Sequence, residues 1–148
     1  MDLTRPDPDR PPPAERGGRI TTLGVPTRGR MESLHRCLVS YLDCCRRHDR
    51  PLAVVVVDDS PDADTQRTCR EVVRTLPVVP GVERWYAGVE ERQRFAAALA
   101  RQSGVAAEVV EFALLNPEGC PLTTGAARNA LMLHASGELM LQADDDTL

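Results

Sequence analysis

The fold is decided by the stretch Leu52-Ala53-Val54-Val55-Val56-Val57-Asp58-Asp59, a largely β-branched run that ends in two carboxylates. A continuous apolar run of this length is typical of a parallel strand that is buried on both faces of a sheet. Upstream, a second strand is predicted at 20–25, and Pro26 is expected to stop it. Apolar residues at helical spacing predict a helix over 31–47 between these strands. The order strand, helix, strand indicates an α/β fold built on a parallel sheet.

The chain downstream continues this alternation. Ser60 is expected to cap a helix that ends at about residue 76, with Pro61 at its first position. Strands are predicted at 82–86 and 139–143, and helices at 90–102 and 124–134. The segment 108–115 is strand-like, although a helix is possible for part of it, and 116–119 is predicted to be a turn. The whole pattern predicts a Rossmann-like three-layer sandwich with a mostly parallel sheet.

Composition and charge narrow the function classes. The chain has 148 residues, of which 42% are apolar and 27% charged, enough for one packed domain. Residues 1–18 are rich in proline and predicted to be a disordered tail, which leaves 19–148 as the domain. The net charge of −4 weighs against nucleic acid as a partner. All 18 basic residues are arginine, so a Walker A lysine, a Schiff-base lysine and a lysine general base are excluded.

The cysteines and the hydropathy pattern indicate the cellular compartment in which the protein is expected. Five cysteines without framework spacing indicate reducing conditions. The N-terminus lacks the features of a signal peptide, and no apolar stretch approaches the roughly 20 residues of a membrane span. We therefore expect a cytoplasmic protein without a transmembrane segment.

Two acidic clusters, Asp58-Asp59 and Asp144-Asp145-Asp146, directly follow predicted strands. The carboxyl ends of parallel strands lie at one sheet edge, where ligands of open α/β sheets bind. Neighbouring carboxylates repel one another unless a cation or hydrogen-bond donors stabilise them. Mg²⁺ or Mn²⁺ shared with substrate phosphates would suit them. Taken singly, Asp58-Asp59 also fits a helix cap, and Asp144–Asp146 also fits a solvated acidic segment. Their expected position at the same edge of the sheet favours a binding site.

Four motifs, in this order, resemble those of family-2 glycosyltransferases, which have the GT-A fold. Residues 24–30, Gly-Val-Pro-Thr-Arg-Gly-Arg, are similar to the first strand and its Pro-Thr-x-x-Arg loop, and 57–60 to the strand-end acidic pair. Residues 125–130 are similar to an Ala-Arg-Asn stretch, and 135–146 to Ala-x-Gly-Glu, a strand and the Asp-x-Asp motif. The chain departs from the family where Ser60-Pro61 replaces the usual glycine and where a longer segment precedes 125–130.

The resemblance implies a role for each matched residue. The nucleotide-binding residues would be Pro26, Thr27, Arg30, Asp58, Asp59, Arg128, Asp144 and Asp145. Asp59 would accept a hydrogen bond from the base, uracil in the best-known members. Arg30 would lie near the diphosphate, and Arg128 would face the phosphates or position the acidic loop. Asp146, with Asp144, would hold Mg²⁺ or Mn²⁺, and Asp144 and Asp145 would approach the ribose and the sugar.

The function implied by the resemblance is metal-assisted transfer of a sugar from a nucleotide diphosphate sugar, with UDP expected, to an unidentified acceptor. In inverting members of the family, the carboxylate that deprotonates the acceptor belongs to a later half of the fold, and no residue here matches it. We therefore expect little transfer by this chain alone, an incomplete C-terminal side with exposed apolar surface near 139–148, and a partner chain or a missing half that completes the site.

The same residues are compatible with two other functions. A nucleotidyltransferase-like enzyme remains an alternative, although the loop 26–30 holds only one glycine. A non-catalytic module that binds a nucleotide or a partner chain is the other alternative. A signalling receiver domain is excluded because the acidic pair follows the second strand and lysine is absent.

Overall fold

The computed structural model describes residues 18–115, 119 and 124–147. These form nine elements: β1 (Ile20–Thr27), α1 (Met31–Arg47), β2 (Leu52–Asp58), α2 (Ala63–Thr75), β3 (Val82–Ala87), α3 (Val89–Ser103), α4 (Ala107–Leu114), α5 (Thr124–His134) and β4 (Leu139–Gln142). The four strands are all parallel, in the order β3-β2-β1-β4. The predicted α/β class is confirmed, with a sheet that is entirely parallel in the described residues. The predicted tail lies outside these residues apart from Gly18, as does most of the predicted turn at 116–119.

Helices cover the sheet on both faces, which makes the three layers. One face packs Leu23 and Val56 against α1 and α2. The other packs Val55 and Val57 against α3, α4 and α5, with Leu131 at its centre. Because side chains alternate along a strand, the valines of β2 enter both cores in turn, which explains the uninterrupted apolar run.

β1 is longer than predicted, because Pro26 does not stop it. The Gly24 carbonyl accepts from the Ala143 N–H at 3.0 Å, and the Thr27 carbonyl accepts from the Asp59 N–H at 2.9 Å. Alternate residues of a strand bond to opposite neighbours, so Pro26, like Gly24, faces β4. Its missing N–H therefore leaves no gap in the ladder towards β2, where Pro26 is opposite Val57.

The predicted cap of α2 is also wrong. The helix begins at Ala63, and the carboxylate of Asp62 caps it by accepting the N–H of Thr65 at 2.8 Å. The Ser60 hydroxyl is committed elsewhere, since it donates to Asp58 at 2.5 Å and accepts the N–H of Gly29 at 2.8 Å. Ser60 thus belongs to the loop after β2 rather than to the helix.

The ambiguous segment 108–115 is mainly helical, because it folds as α4. Val110 and Leu114, one turn apart, are buried, while Val109 and Phe112 face outward. The other predicted helices and strands are present, with small changes at their ends.

β4 lies at an edge of the sheet and exposes apolar side chains. Leu139 is 50% exposed and Leu141 40% exposed. In the described part of the chain, β4 pairs only with β1. Apolar surface is therefore present in the region where the sequence led us to expect it. None of the helices described is both long and apolar enough to cross a membrane.

Candidate functional site

The carboxyl ends of β1, β2 and β4 meet at one edge of the sheet, which we call the acidic edge. It comprises Thr27, Asp58-Asp59 and Asp144–Asp146, with the side chains bonded to them. The Thr27 hydroxyl donates to Oδ2 of Asp145 at 2.8 Å, although 118 positions separate the two in sequence. The Asp59 N–H reaches the Thr27 carbonyl from the other side. Both predicted acidic clusters therefore share this edge, as expected from the parallel strands.

Arg30 joins the buried and the exposed part of the acidic edge. Its guanidinium lies 2.6 Å from Oδ1 of Asp145, which is fully buried, and 3.2 Å from Oδ2 of Asp146, which is exposed. A buried carboxylate is costly unless it is paired, so Arg30 and Thr27 together explain why Asp145 is tolerated in the interior. Since it is enclosed, Asp145 supports the loop in this structure and does not present its carboxylate to solvent.

Arg128 makes the corresponding contact on the α5 side. Its Nη2 lies 2.6 Å from Oδ1 of Asp144, and both side chains are partly exposed. The Nε of Arg128 is buried without a hydrogen-bond partner among the described residues. Each exposed aspartate of the acidic edge is therefore matched by an arginine that also reaches the surface.

The Asp58 carboxylate stabilises the loop after β2 through hydrogen bonds, a role that the sequence did not indicate. Its Oδ1 accepts the N–H and hydroxyl of Ser60 at 2.9 and 2.5 Å, and its Oδ2 accepts the Tyr86 hydroxyl at 2.7 Å. The side chain is fully buried and both oxygens are used. Like the carboxylate of Asp145, that of Asp58 is thus committed in this structure to contacts within the protein rather than to a ligand.

This arrangement affects two neighbouring titratable groups. Burial, followed by the hydrogen bond to Asp58, raises the pKa of Tyr86 well above its usual value. Burial, with a further contribution from the Asp58 charge, raises the pKa of the Cys69 thiol to about 12. Both groups are therefore neutral donors beside the Asp58 carboxylate at neutral pH.

Asp59 is held differently, by the buried Arg92 of α3. Arg92 is 3% exposed and donates to Oδ1 of Asp59, whose side chain is 10% exposed. It also donates to the carbonyls of Asp58 and Leu114, each at 3.3 Å. The second oxygen of Asp59, Oδ2, is buried and has no hydrogen-bond partner in the described residues.

Sequence reasoning missed Arg92, although a signal was present. Arg92 precedes Phe95 by three residues and Leu99 by seven, so it occupies the apolar stripe of α3. An arginine on the buried face of a helix implies a buried acceptor, because such a charge is rarely left unpaired.

The metal prediction concerns the two exposed carboxylates of the acidic edge. Asp144 and Asp146 are the predicted ligands, and both carboxylates are exposed. The described residues contain no group of three or more His, Cys, Asp or Glu side chains arranged to hold a metal. Mg²⁺ usually takes one or two carboxylates from a protein and its remaining ligands from phosphates and water. The predicted ligands Asp144 and Asp146 would supply those carboxylates.

The fold and the acidic edge together define a Rossmann-like α/β domain with clustered carboxylates and arginines at the carboxyl ends of its strands. Comparison with protein-family models, with curated proteins and with solved structures found no match.

Proposed function

We propose that this chain is the donor-binding domain of a metal-assisted glycosyltransferase that resembles family 2. It would bind a nucleotide diphosphate sugar, with UDP as the nucleotide, and donate the sugar to an acceptor that is not identified. The observation that carries the proposal is the meeting of three strand ends at the acidic edge. There, Thr27, Asp59 and two surface arginines lie at the sheet edge outside which ligands of parallel sheets bind.

The base end of the ligand would meet Asp59. A buried polar atom without a partner costs about 1–3 kcal/mol, and a ligand that donates to it removes that cost. Oδ2 of Asp59 is such an atom. The N3–H of uracil is a suitable donor, but because Oδ2 is buried, the side chains that cover it would have to move aside when the base binds.

The diphosphate would meet Arg30 and Arg128. Exposed ion pairs contribute at most about 1 kcal/mol, so their exchange for a more highly charged ligand is inexpensive. A diphosphate carries more negative charge than one carboxylate, and a guanidinium can bind two of its oxygens at once. Arg128 can therefore turn from Asp144 towards phosphate, whereas Arg30 can release only Asp146 through Nη1, because its Nη2 pairs with the buried Asp145.

The same arginines would assist the reaction. Breaking the glycosidic bond leaves negative charge on the diphosphate, and cations already in place stabilise that charge. Asp146, with Asp144, would hold Mg²⁺ or Mn²⁺, which supplies further positive charge at the leaving group. We assign no residue of this chain as the general base that deprotonates the acceptor. A partner chain or a further half of the fold is expected to provide that base.

Isothermal titration calorimetry with UDP tests the proposal. We expect the wild type to bind UDP in Mn²⁺ or Mg²⁺ and to bind at least about tenfold more weakly in EDTA, a difference of about 1.4 kcal/mol. Asp146→Ala should remove most of this metal dependence. Asp64→Ala is the matched control, because Asp64 is also an exposed partner of an arginine, Arg67, but lies away from the acidic edge. Absence of UDP binding, or equal affinity with and without EDTA, would refute the proposal.

A further inference from the structure

β4 is an edge strand, and its outer side has no neighbour among the described residues. Such an edge presents unpaired N–H and carbonyl groups that can pair with another strand. We propose that this side of β4 is a homodimer interface, at which the β4 strands of two copies of the chain pair antiparallel and join the two sheets. This pairing would occur with or without a nucleotide, so it does not rest on the function proposed above.

The backbone of β4 directs two of its N–H groups to the open side. The Ala143 N–H donates to the Gly24 carbonyl of β1 at 3.0 Å. Because alternate residues of a strand bond to opposite neighbours, Leu141 also faces β1, whereas Met140 and Gln142 direct their N–H and carbonyl groups outward. A two-fold axis places two such strands side by side and antiparallel, so that the same outward groups can bond to each other.

The opposite edge of the sheet is protected against such pairing, and β4 is not. β3, the other edge strand, carries Glu83 and Arg84, and charged side chains on an edge strand oppose association. The four residues of β4 are all uncharged. Leu139 and Leu141 are about half exposed, and Leu141 is paired with Leu23 of the core beneath α1 and α2. Dimerisation on this edge would remove both leucines from water, which favours association.

Side-chain directions and charges select the register of the pair. Opposed residues of antiparallel strands share one face of the sheet, so the two-fold axis passes beside a residue and not between two residues. An axis at Met140 places Leu139 opposite Leu141 of the second copy, twice by symmetry. An axis at Leu141 would place Glu138 opposite Asp144, and like charges opposed in this way are destabilising. An axis at either end of the strand would leave most of β4 unpaired, so we assign the axis to Met140.

The backbone groups match when the axis lies at Met140. The Met140 N–H of each copy would donate to the Met140 carbonyl of the other, and the Gln142 N–H to the Glu138 carbonyl. The Glu138 N–H is already bonded to the Ala135 carbonyl at 2.9 Å, so it adds no further bond. Because the paired strands are short, the interface is small for a protein complex, and we expect a dissociation constant of about 10–100 µM.

Amide hydrogen exchange of the full chain, followed by NMR, tests which backbone groups pair. Between about 50 µM and 1 mM protein, the monomer fraction falls roughly threefold for such a dissociation constant. Exchange at Met140 and Gln142 should therefore slow about threefold over this range. The amides of Leu141 and Ala143 face β1 and should exchange at a rate that does not depend on concentration.

Sedimentation velocity from about 2 to 500 µM protein, in low salt, tests the register. The wild type should change from mainly monomer to mainly dimer over this range. Leu139→Lys combined with Leu141→Lys sets like charges opposite each other and should raise the dissociation constant at least about tenfold. Leu139→Lys combined with Leu141→Glu sets opposite charges against each other in the assigned register, so its dissociation constant should stay within about threefold of the wild type.

Val78→Lys is the matched control for these variants. Val78 is a more exposed apolar side chain than either leucine and precedes β3, at the other edge of the sheet. Its replacement should leave the dissociation constant unchanged, whereas a loss of the dimer would show that association uses that surface and would overturn the proposed interface.

Other results also overturn it. A wild type that stays monomeric at 500 µM, with exchange at Met140 and Gln142 independent of concentration, shows that the copies do not pair. A dimer that survives two lysines at 139 and 141 uses another surface, and equal weakening by both double variants contradicts the assigned register. Circular dichroism establishes that each variant is folded, and if the double variants are not, the alternating exchange pattern of the wild type decides alone.

Discussion

The hydroxyl of Thr27 links β1 to the buried carboxylate that follows β4, and Thr27→Val removes that link while keeping the side-chain shape. Thr27 is 4% exposed and Asp145 is fully buried, with 2.8 Å between the hydroxyl and Oδ2. A hydrogen bond to a buried charged acceptor contributes about 1.5–3 kcal/mol. We therefore expect the substitution to lower the free energy of unfolding by about 2 kcal/mol. Valine and threonine are both β-branched, so strand propensity contributes little to the change.

Thr22→Val is the matched control, because it removes a buried hydroxyl from the same strand. The Thr22 hydroxyl donates to Oε2 of Glu138 at 2.8 Å, and the Thr21 hydroxyl donates to the same oxygen at 2.7 Å. Glu138 is only partly buried and keeps one of these two donors in the variant. We expect a loss of about 0.5–1 kcal/mol, smaller than that of Thr27→Val.

Urea unfolding followed by circular dichroism and by Trp85 fluorescence measures both losses, provided the three proteins share one m-value. The difference between the variants should persist in 0.5 M salt, because a buried carboxylate is screened less than an exposed one. If Thr27→Val costs no more than Thr22→Val, Asp145 does not depend on Thr27, and the acidic edge is not assembled as described.

Two further predictions concern the buried donors. Tyr86→Phe removes the hydroxyl that donates to the fully buried Asp58. We expect it to lower the free energy of unfolding, measured by urea titration, by about 2 kcal/mol. A loss below about 0.5 kcal/mol would contradict this role of the hydroxyl. Burial, with nearby carboxylates, raises the pKa of Cys37 from 9.0 to about 11 and that of Cys69 from 9.0 to about 12. Their folded pKa values exceed the unfolded ones, so their stabilising contribution is complete below pH 9 and is lost as the pH rises through 11 to 12. Unfolding midpoints measured from pH 8 to 11 should fall above pH 9, and a flat profile would show that the thiols are not buried as described.

Much of the fold was predictable because the deciding signals are local. The valine run of β2 and the helical spacing of α1 depend only on neighbours in sequence, and both elements were found at nearly the predicted positions. The carboxyl ends of parallel strands lie at one edge of a sheet, which is why both acidic clusters were expected together; the order of the strands was not predicted.

The errors arose where a distant residue decides the local structure. Ser60 and Asp62 both suit the start of a helix, and the choice depends on Asp58 and on Gly29, which is 31 positions from Ser60. The role of Arg92 depends on a carboxylate 33 positions away. Helical spacing shows that this arginine faces the core, but it does not identify the partner. The ligand roles of the site residues stay predictions.

The strand order has a consequence for the newly made chain. β1 is synthesised first, yet one of its two neighbours, β4, is the last of the described strands to be made. At 5–20 residues per second, the 118 positions between Thr27 and Asp145 correspond to a delay of roughly 6–24 s. During that interval one side of β1 is an open edge, the kind of surface that chaperones shield and that aggregates form on. The acidic edge is complete only when β4 is added, so ligand binding by a nascent chain would report that β4 has paired with β1.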